Sequence, residues 1–129
     1  MFPAFISNEL DPLRLFDDGA FHASCFAEHP LAANMNTRFR EFERQPRPPR
    51  CAVCGEQILV PAEYVDVGHL TSDPKDALFE FNYLRFHRSH LRAWPKRIRL
   101  RQELAAHIAR GKLKSAGYDL LLEALADVH

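Results

Sequence analysis

No apolar run in this chain is long enough to span a bilayer, and the first ten residues lack the basic start of a secretory leader and carry Glu9. Both absences point to a cytoplasmic protein with no membrane association. Cysteine is scarce: there are three, an odd number, and two of them stand in one Cys-x-x-Cys, which argues against a disulfide framework. Net charge is missing as well. Seventeen basic residues balance seventeen acidic ones and the isoelectric point is near 7.1, so no global field draws the chain to a polyanion. Internal repeats are absent, and no low-complexity tract occurs beyond one proline-rich stretch. What is present is ordinary globular material. With 47% apolar residues over 129 positions, the chain has the size of a single domain, residues 1–129, and wholesale disorder is excluded.

The charges balance overall but are sorted along the chain. Residues 1–29 hold five acids and one base, residues 55–80 hold six acids and one base, and residues 85–114 hold ten bases and one acid. Such sorting has two readings: a site for a polyanion, or acidic and basic segments that face each other in the fold or an oligomer.

In chain order, Phe2 to Phe16 reads as a short strand or arm followed by a turn at Asn8 to Pro12. Leu31, Met35, Phe39 and Phe42 recur at helical spacing, which predicts an N-terminal helix over 30–45 with Arg38, Arg40, Glu41, Glu43 and Arg44 on its solvated side. Pro46, Pro48 and Pro49 end it and make 46–50 an extended spacer, or a proline motif for a partner domain. Ile58 to Val60 and Tyr64 to Val67 read as two strands joined at Pro61, while Leu78 to Phe81 continues a strand or enters a helix. Two helices fill 95–129. The first carries Leu100, Leu104 and Ile108 on one face and ends at Gly111; the second turns Leu121, Leu125 and Val128 inward.

The strongest chemical signal is a pair of pairs. Cys51-x-x-Cys54 is followed by Gly55, and His87-x-x-His90 lies thirty-odd residues on. Thiolates and imidazoles together suit a closed tetrahedral Zn²⁺ site, and i, i+3 spacing sets two rings on one side of a helical turn. The expectation is a structural zinc site at Cys51, Cys54, His87 and His90. A redox role for the Cys-x-x-Cys remains open. So does a second choice of partner pair, His22 and Cys25, which are equally spaced and whose other reading is a place in an aromatic core.

With the ligands so placed, Cys51-x-x-Cys54, His69, Asn82 and His87-x-x-His90 resemble the HNH endonuclease motif, a ββα-metal unit built on a treble clef. The resemblance covers roughly residues 51–94 and implies an α+β fold: a zinc-stabilised treble-clef unit flanked by one N-terminal and two C-terminal helices. It also implies that His69 is the general base of phosphodiester hydrolysis, that Asn82 orients it, and that a catalytic Mg²⁺ or other divalent ion sits nearby. This chain departs from the motif where that ion needs ligands, for Gly68 and Leu91 stand there, with Asp66 two residues short. Taken alone, His69 reads as a hydrogen-bonded histidine at a strand end and Asn82 as a cap or turn residue.

Arg85, Arg88, Arg92, Lys96 and Arg99 recur every three or four residues; on a continuous helix they would form one ridge able to follow phosphates, with Trp94 beside it to stack on a base. Pro95 interrupts that ridge, and the Trp94 ring also suits a core. The expected function is a small non-catalytic zinc module that binds nucleic acid or an acidic protein partner through this basic surface. The alternatives are an HNH-type nuclease and a protein-binding inhibitor or assembly subunit.

Overall fold

The computed structural model describes residues 2–16, 23–114 and 117–126. Its regular elements are α1 (Ala23–Glu28), α2 (Ala32–Glu43), β1 (Tyr64–Asp66), β2 (Arg85–His87), α3 (Arg88–Leu91), α4 (Arg97–Ala109) and α5 (Asp119–Ala126), with 3-10 turns at Pro12–Phe16, Pro61–Glu63 and Phe79–Phe81. The class is a small α+β fold with one two-stranded sheet.

The sheet is antiparallel and pairs Tyr64 with His87, Val65 with Phe86 and Asp66 with Arg85. The sequence suggested a hairpin between 58–60 and 64–67, and that pairing does not form. Residues 58–60 carry no strand; Leu59 and Val60 are 72% and 56% exposed, while Ile58 alone is buried. β1 instead reaches across the chain to β2. The reason lies in burial. Val65 and Phe86 sit side by side beneath α4 and α5 in the main apolar cluster, so inward-facing residues choose the register rather than sequence proximity. Leu78 to Phe81 enters a 3-10 turn, not a strand.

α4 and α5 follow the apolar spacing. Leu100, Leu104 and His107 are buried along α4, and Ile108 packs against the cluster from its flank. Gly111, at φ +74°, ends α4, with its N–H bonded to the Ile108 carbonyl and the Lys112 N–H to that of His107. Along α5, Leu121, Ala124 and Leu125 face inward; Val128 lies outside the described residues. Trp94 belongs to this core too. Its ring lies 4.7 Å from that of Phe86 and 5.8 Å from that of Phe81, so it is not presented as a stacking platform.

A second apolar cluster stands apart. Phe5, Ile6, Leu13, Phe16 and Met35 form it, and Phe2, Phe26, Leu31, Phe39 and Phe42 pack on its edge. Here the N-terminal arm folds against α2, which spans Ala32–Glu43 inside the expected 30–45. Arg38 was expected on the solvated side of that helix. It is 7% exposed, with its guanidinium 5.0 Å over the Phe79 ring, because α2 turns a face toward the 3-10 turn as well as toward the arm. A parallel bridge between Ile6 and His69 joins the arm to the main cluster.

Candidate metal centre

The first half of the centre is a knuckle. Arg50 and Gln57 form an antiparallel bridge, the Cys51 N–H bonds to the Glu56 carbonyl, and the Gly55 N–H bonds back to that of Cys51, both at 2.9 Å. Gly55 takes φ +77°, a left-handed conformation that L side chains resist, and it closes the turn with both thiols on one side. The Ala52 N–H reaches the Arg85 carbonyl at 2.7 Å, which fixes the knuckle to β2.

The second half is the β2–α3 junction. His87 is the last residue of β2 and, with extended backbone, the residue before α3; His90 lies one turn on. Register delivers His87, since Tyr64 opposite it sets the end of the sheet. Glu63 then steadies α3: its carboxylate accepts the Ser89 hydroxyl at 2.9 Å and the Ser89 N–H at 3.3 Å. Those two bonds hold the Glu63 carboxyl below its ordinary range.

One donor atom from each of Cys51, Cys54, His87 and His90 lies within 4.8 Å of the others. Cys51 Sγ is 3.8 Å from His90 Nδ1, and Cys54 Sγ is 3.5 Å from His87 Nδ1. A tetrahedral zinc ion, with Zn–S of about 2.3 Å and Zn–N of about 2.05 Å, sets sulfur and nitrogen donors about 3.6 Å apart. The residues therefore fit the ion in both kind and spacing. Burial opposes ionisation of the Cys51 thiol, yet N–H groups of His87, Cys54 and Val53 and the His90 ring together hold its pKa down to about 6. The His87 N–H lies 3.3 Å and the Val53 N–H 3.4 Å from that sulfur. The site is thus prepared to present a thiolate, the form that binds metal.

Of the alternative ligand pair, His22 and Cys25, the structure describes only Cys25. Cys25 is exposed on α1 and outside the four-residue cluster, and His22 lies outside the described residues.

His69 is fully buried. The Ser72 hydroxyl donates to Asp11 at 2.8 Å, so it accepts from His69 Nε2 at 2.9 Å, and His69 Nδ1 then accepts the Tyr83 hydroxyl at 2.5 Å. Phe5 caps the ring at 5.6 Å. Both ring nitrogens are occupied and the arm lies over them. Asn82 ties the same loop: its carbonyl oxygen accepts the N–H groups of Leu70 and Thr71 at 2.7 and 3.2 Å, and its amide donates to the Thr71 carbonyl at 2.8 Å. Gly68 has φ +74°, and a Cβ there would stand 3.4 Å from Ser7 Oγ. Leu91 is 1% exposed in the main core.

The basic stripe is not one ridge. Arg85 lies on β2, α3 is four residues long, and α4 starts only at Arg97. Lys96 and Arg99 both close on Glu80, at 3.2 and 2.9 Å, and one Arg85 nitrogen donates to the Pro46 carbonyl at 2.9 Å. Arg88 and Arg92 stay exposed and make no ion pair among the described residues. Asp11, Ser72 and Tyr83 are site residues that sequence reasoning missed. Tyr83 carries φ 65°, which no residue type other than glycine announces.

No family model matches the chain, and neither a curated protein nor a solved structure matches it. The case for a metal centre therefore rests on its donors and their spacing.

Proposed function

We propose that residues 51–94 are a zinc-stapled treble clef of the HNH kind that has lost the nuclease, and that the chain works as a recognition module for nucleic acid. The ion is Zn²⁺, held by Cys51, Cys54, His87 and His90, and its part is structural. When bound, it closes the knuckle onto the β2–α3 junction and supplies folding energy to a sheet whose strands are three residues each.

The observation that carries the non-catalytic reading is the enclosure of His69. A general base needs an accessible lone pair within reach of a water; this ring spends Nδ1 on Tyr83 and Nε2 on Ser72 beneath Phe5. The neighbouring position cannot be refilled simply, because a ligand-bearing residue at Gly68 would meet both a left-handed backbone and Ser7. Phosphate contact falls to Arg88, the first residue of α3, and Arg92, which follows its last, beside the metal centre. A plasmid-nicking assay with Mg²⁺, Mn²⁺ or Ni²⁺, run beside His69→Ala, tests the reading. No metal-dependent cleavage is expected; cleavage abolished by the substitution would refute it. Binding to DNA or RNA is expected to weaken with salt, and Arg88→Ala to reduce the log–log salt slope by about one.

A protein partner, as for an inhibitor or an assembly subunit, is the second reading. Apolar exposure favours it: Val53, Leu59 and Val60 leave 40%, 72% and 56% of their surface in solvent along the knuckle segment. Binding indifferent to both nucleic acids would select this reading over the first.

A further inference from the structure

The two thiols of the metal centre are not equivalent. Cys51 is 2% exposed, and its Sγ receives the His87 N–H at 3.3 Å and the Val53 N–H at 3.4 Å. Cys54 is exposed. Its Sγ meets the His87 Nδ1 at 3.5 Å, and among the described residues no backbone N–H donates to it. The chain beside it is open as well, for a Cβ at Gly55 would meet nothing within 4 Å. An N–H aimed at a thiolate draws on the lone pairs that would otherwise attack, and burial shuts out the reagent. One sulfur of the pair is guarded on both counts and the other on neither.

We infer that Cys54 is a modification site for hydroperoxides, with Cys51 as its resolving partner, so that the centre gives up its ion on oxidation and regains it on reduction. This rests on the reading of the four side chains as a zinc site, in which both cysteines are thiolates. In the first step the Cys54 thiolate attacks one peroxide oxygen. An S–O bond forms, the O–O bond breaks, and the far oxygen leaves as hydroxide, giving a sulfenic acid. In the second, the Cys51 thiolate attacks the sulfenic sulfur; an S–S bond forms and the S–O bond breaks with loss of a second hydroxide. Two thiolates, one hydrogen peroxide and two protons thus become one disulfide and two waters. The turn favours the second step. It is closed by the Gly55 N–H on the Cys51 carbonyl at 2.9 Å, and the two sulfurs lie within 4.8 Å of each other. The two imidazoles that remain, His87 and His90, are too few for a closed tetrahedral site, and the knuckle is no longer drawn to the β2–α3 junction.

The test uses the full-length zinc-loaded chain, wild type and Cys25→Ser, and hydrogen peroxide. Dimedone traps sulfenic acid, peptide mass spectrometry places it, and a chromogenic chelator reads free zinc. Dimedone is expected on Cys54 at least about tenfold over Cys51. Without the trap, the expected product is the Cys51–Cys54 disulfide with one zinc released per disulfide, and dithiothreitol with added zinc should restore the metal content. Dimedone on Cys51 first, or equally on both, would overturn the assignment of Cys54. Zinc retained after the disulfide has formed, or sulfenic acid that persists without one, would overturn the switch. A chain that holds no zinc before peroxide is added would overturn the zinc reading and this inference together; full zinc with unselective oxidation would overturn this inference alone.

Discussion

The two halves of this molecule are ordered by different means. The knuckle and the β2–α3 junction converge on four donor atoms, with strands of three residues and a helix of four around them. The N-terminal lobe has no such centre. Its order comes from rings: Phe2 lies against Phe26 and Phe39 at 5.3 and 5.0 Å, and Phe5 against Phe42 at 5.0 Å. One region gathers a set of metal-ligating side chains, which on the proposed reading draws its energy from an ion; the other folds around area removed from water, about 25 cal/mol per Å². The lesson is that they should fail separately, and the joint between them, Asp11–Ser72–His69–Tyr83, should fail in a third way.

Metal removal should break the comparison most sharply. Structural zinc in small domains contributes on the order of 10 kcal/mol or more. Chelation, or Cys51→Ser or His90→Ala, is expected to abolish cooperative unfolding of the 51–94 region and to release one zinc per chain, read by metal analysis and thermal melts. Cys25→Ser, at an exposed cysteine outside the cluster, should retain its zinc. Equal metal loss in Cys25→Ser and His90→Ala would sink the ligand assignment.

Phe5→Ala should act on the other half. Phe5 is 8% exposed and touches Phe39, Phe42 and His69, so the cost is about 3–4 kcal/mol by loss of transfer energy and a residual cavity. Zinc content should not change. A variant that lost both stability and metal in proportion would show that the two regions are one cooperative unit.

The joint gives a pH signature. Burial works against ionised Asp11, yet contact with His69, the Leu13 N–H and the Ser72 hydroxyl hold its carboxyl below the ordinary value near 3.8. A carboxyl with a depressed folded-state pKa binds fewer protons folded than unfolded. Its contribution is complete above about pH 4 and disappears as pH falls through the depressed value. Asp11→Asn should remove it at every pH, costing about 1–3 kcal/mol for a buried polar group that loses its charged partner, and should flatten the acid limb of the wild-type curve measured by denaturant titration. An acid limb unchanged in the variant would refute the assignment.

What the sequence disclosed follows the same division. Donor chemistry is local in type and explicit in spacing, so Cys51, Cys54, His87 and His90 could be named before any coordinates. The helices α2, α4 and α5 were legible because Met35, Leu100, Leu104 and Leu121 repeat at 3.6-residue intervals. The sheet was not. Three-residue strands carry too little alternation to show a partner, and β1 found β2 across eighteen intervening residues, while the nearer segment 58–60 remained unpaired. The covering of His69 was hidden for a related cause: Asp11 and Ser72 are sixty-one positions apart, and nothing in either one's neighbourhood announces the other. Tyr83 owes its reach to a backbone conformation that sequence does not encode for tyrosine.

The smallest stability effect tests the surface rather than either core. Glu80 holds Lys96 at 3.2 Å and Arg99 at 2.9 Å, with the three side chains 38–55% exposed. Exposed pairs of this kind contribute at most about 1 kcal/mol, so Glu80→Gln should shift the melting temperature little and leave zinc in place. Its effect on binding should be larger and of opposite sign to Arg88→Ala. Freed of their carboxylate, Lys96 and Arg99 join Arg88 and Arg92 as available cations, and affinity for a short DNA or RNA duplex should rise with a steeper salt dependence. If affinity falls in Arg88→Ala but stays level in Glu80→Gln, the interface ends at α3; if neither changes, the basic segment serves the fold alone and the partner meets the apolar knuckle.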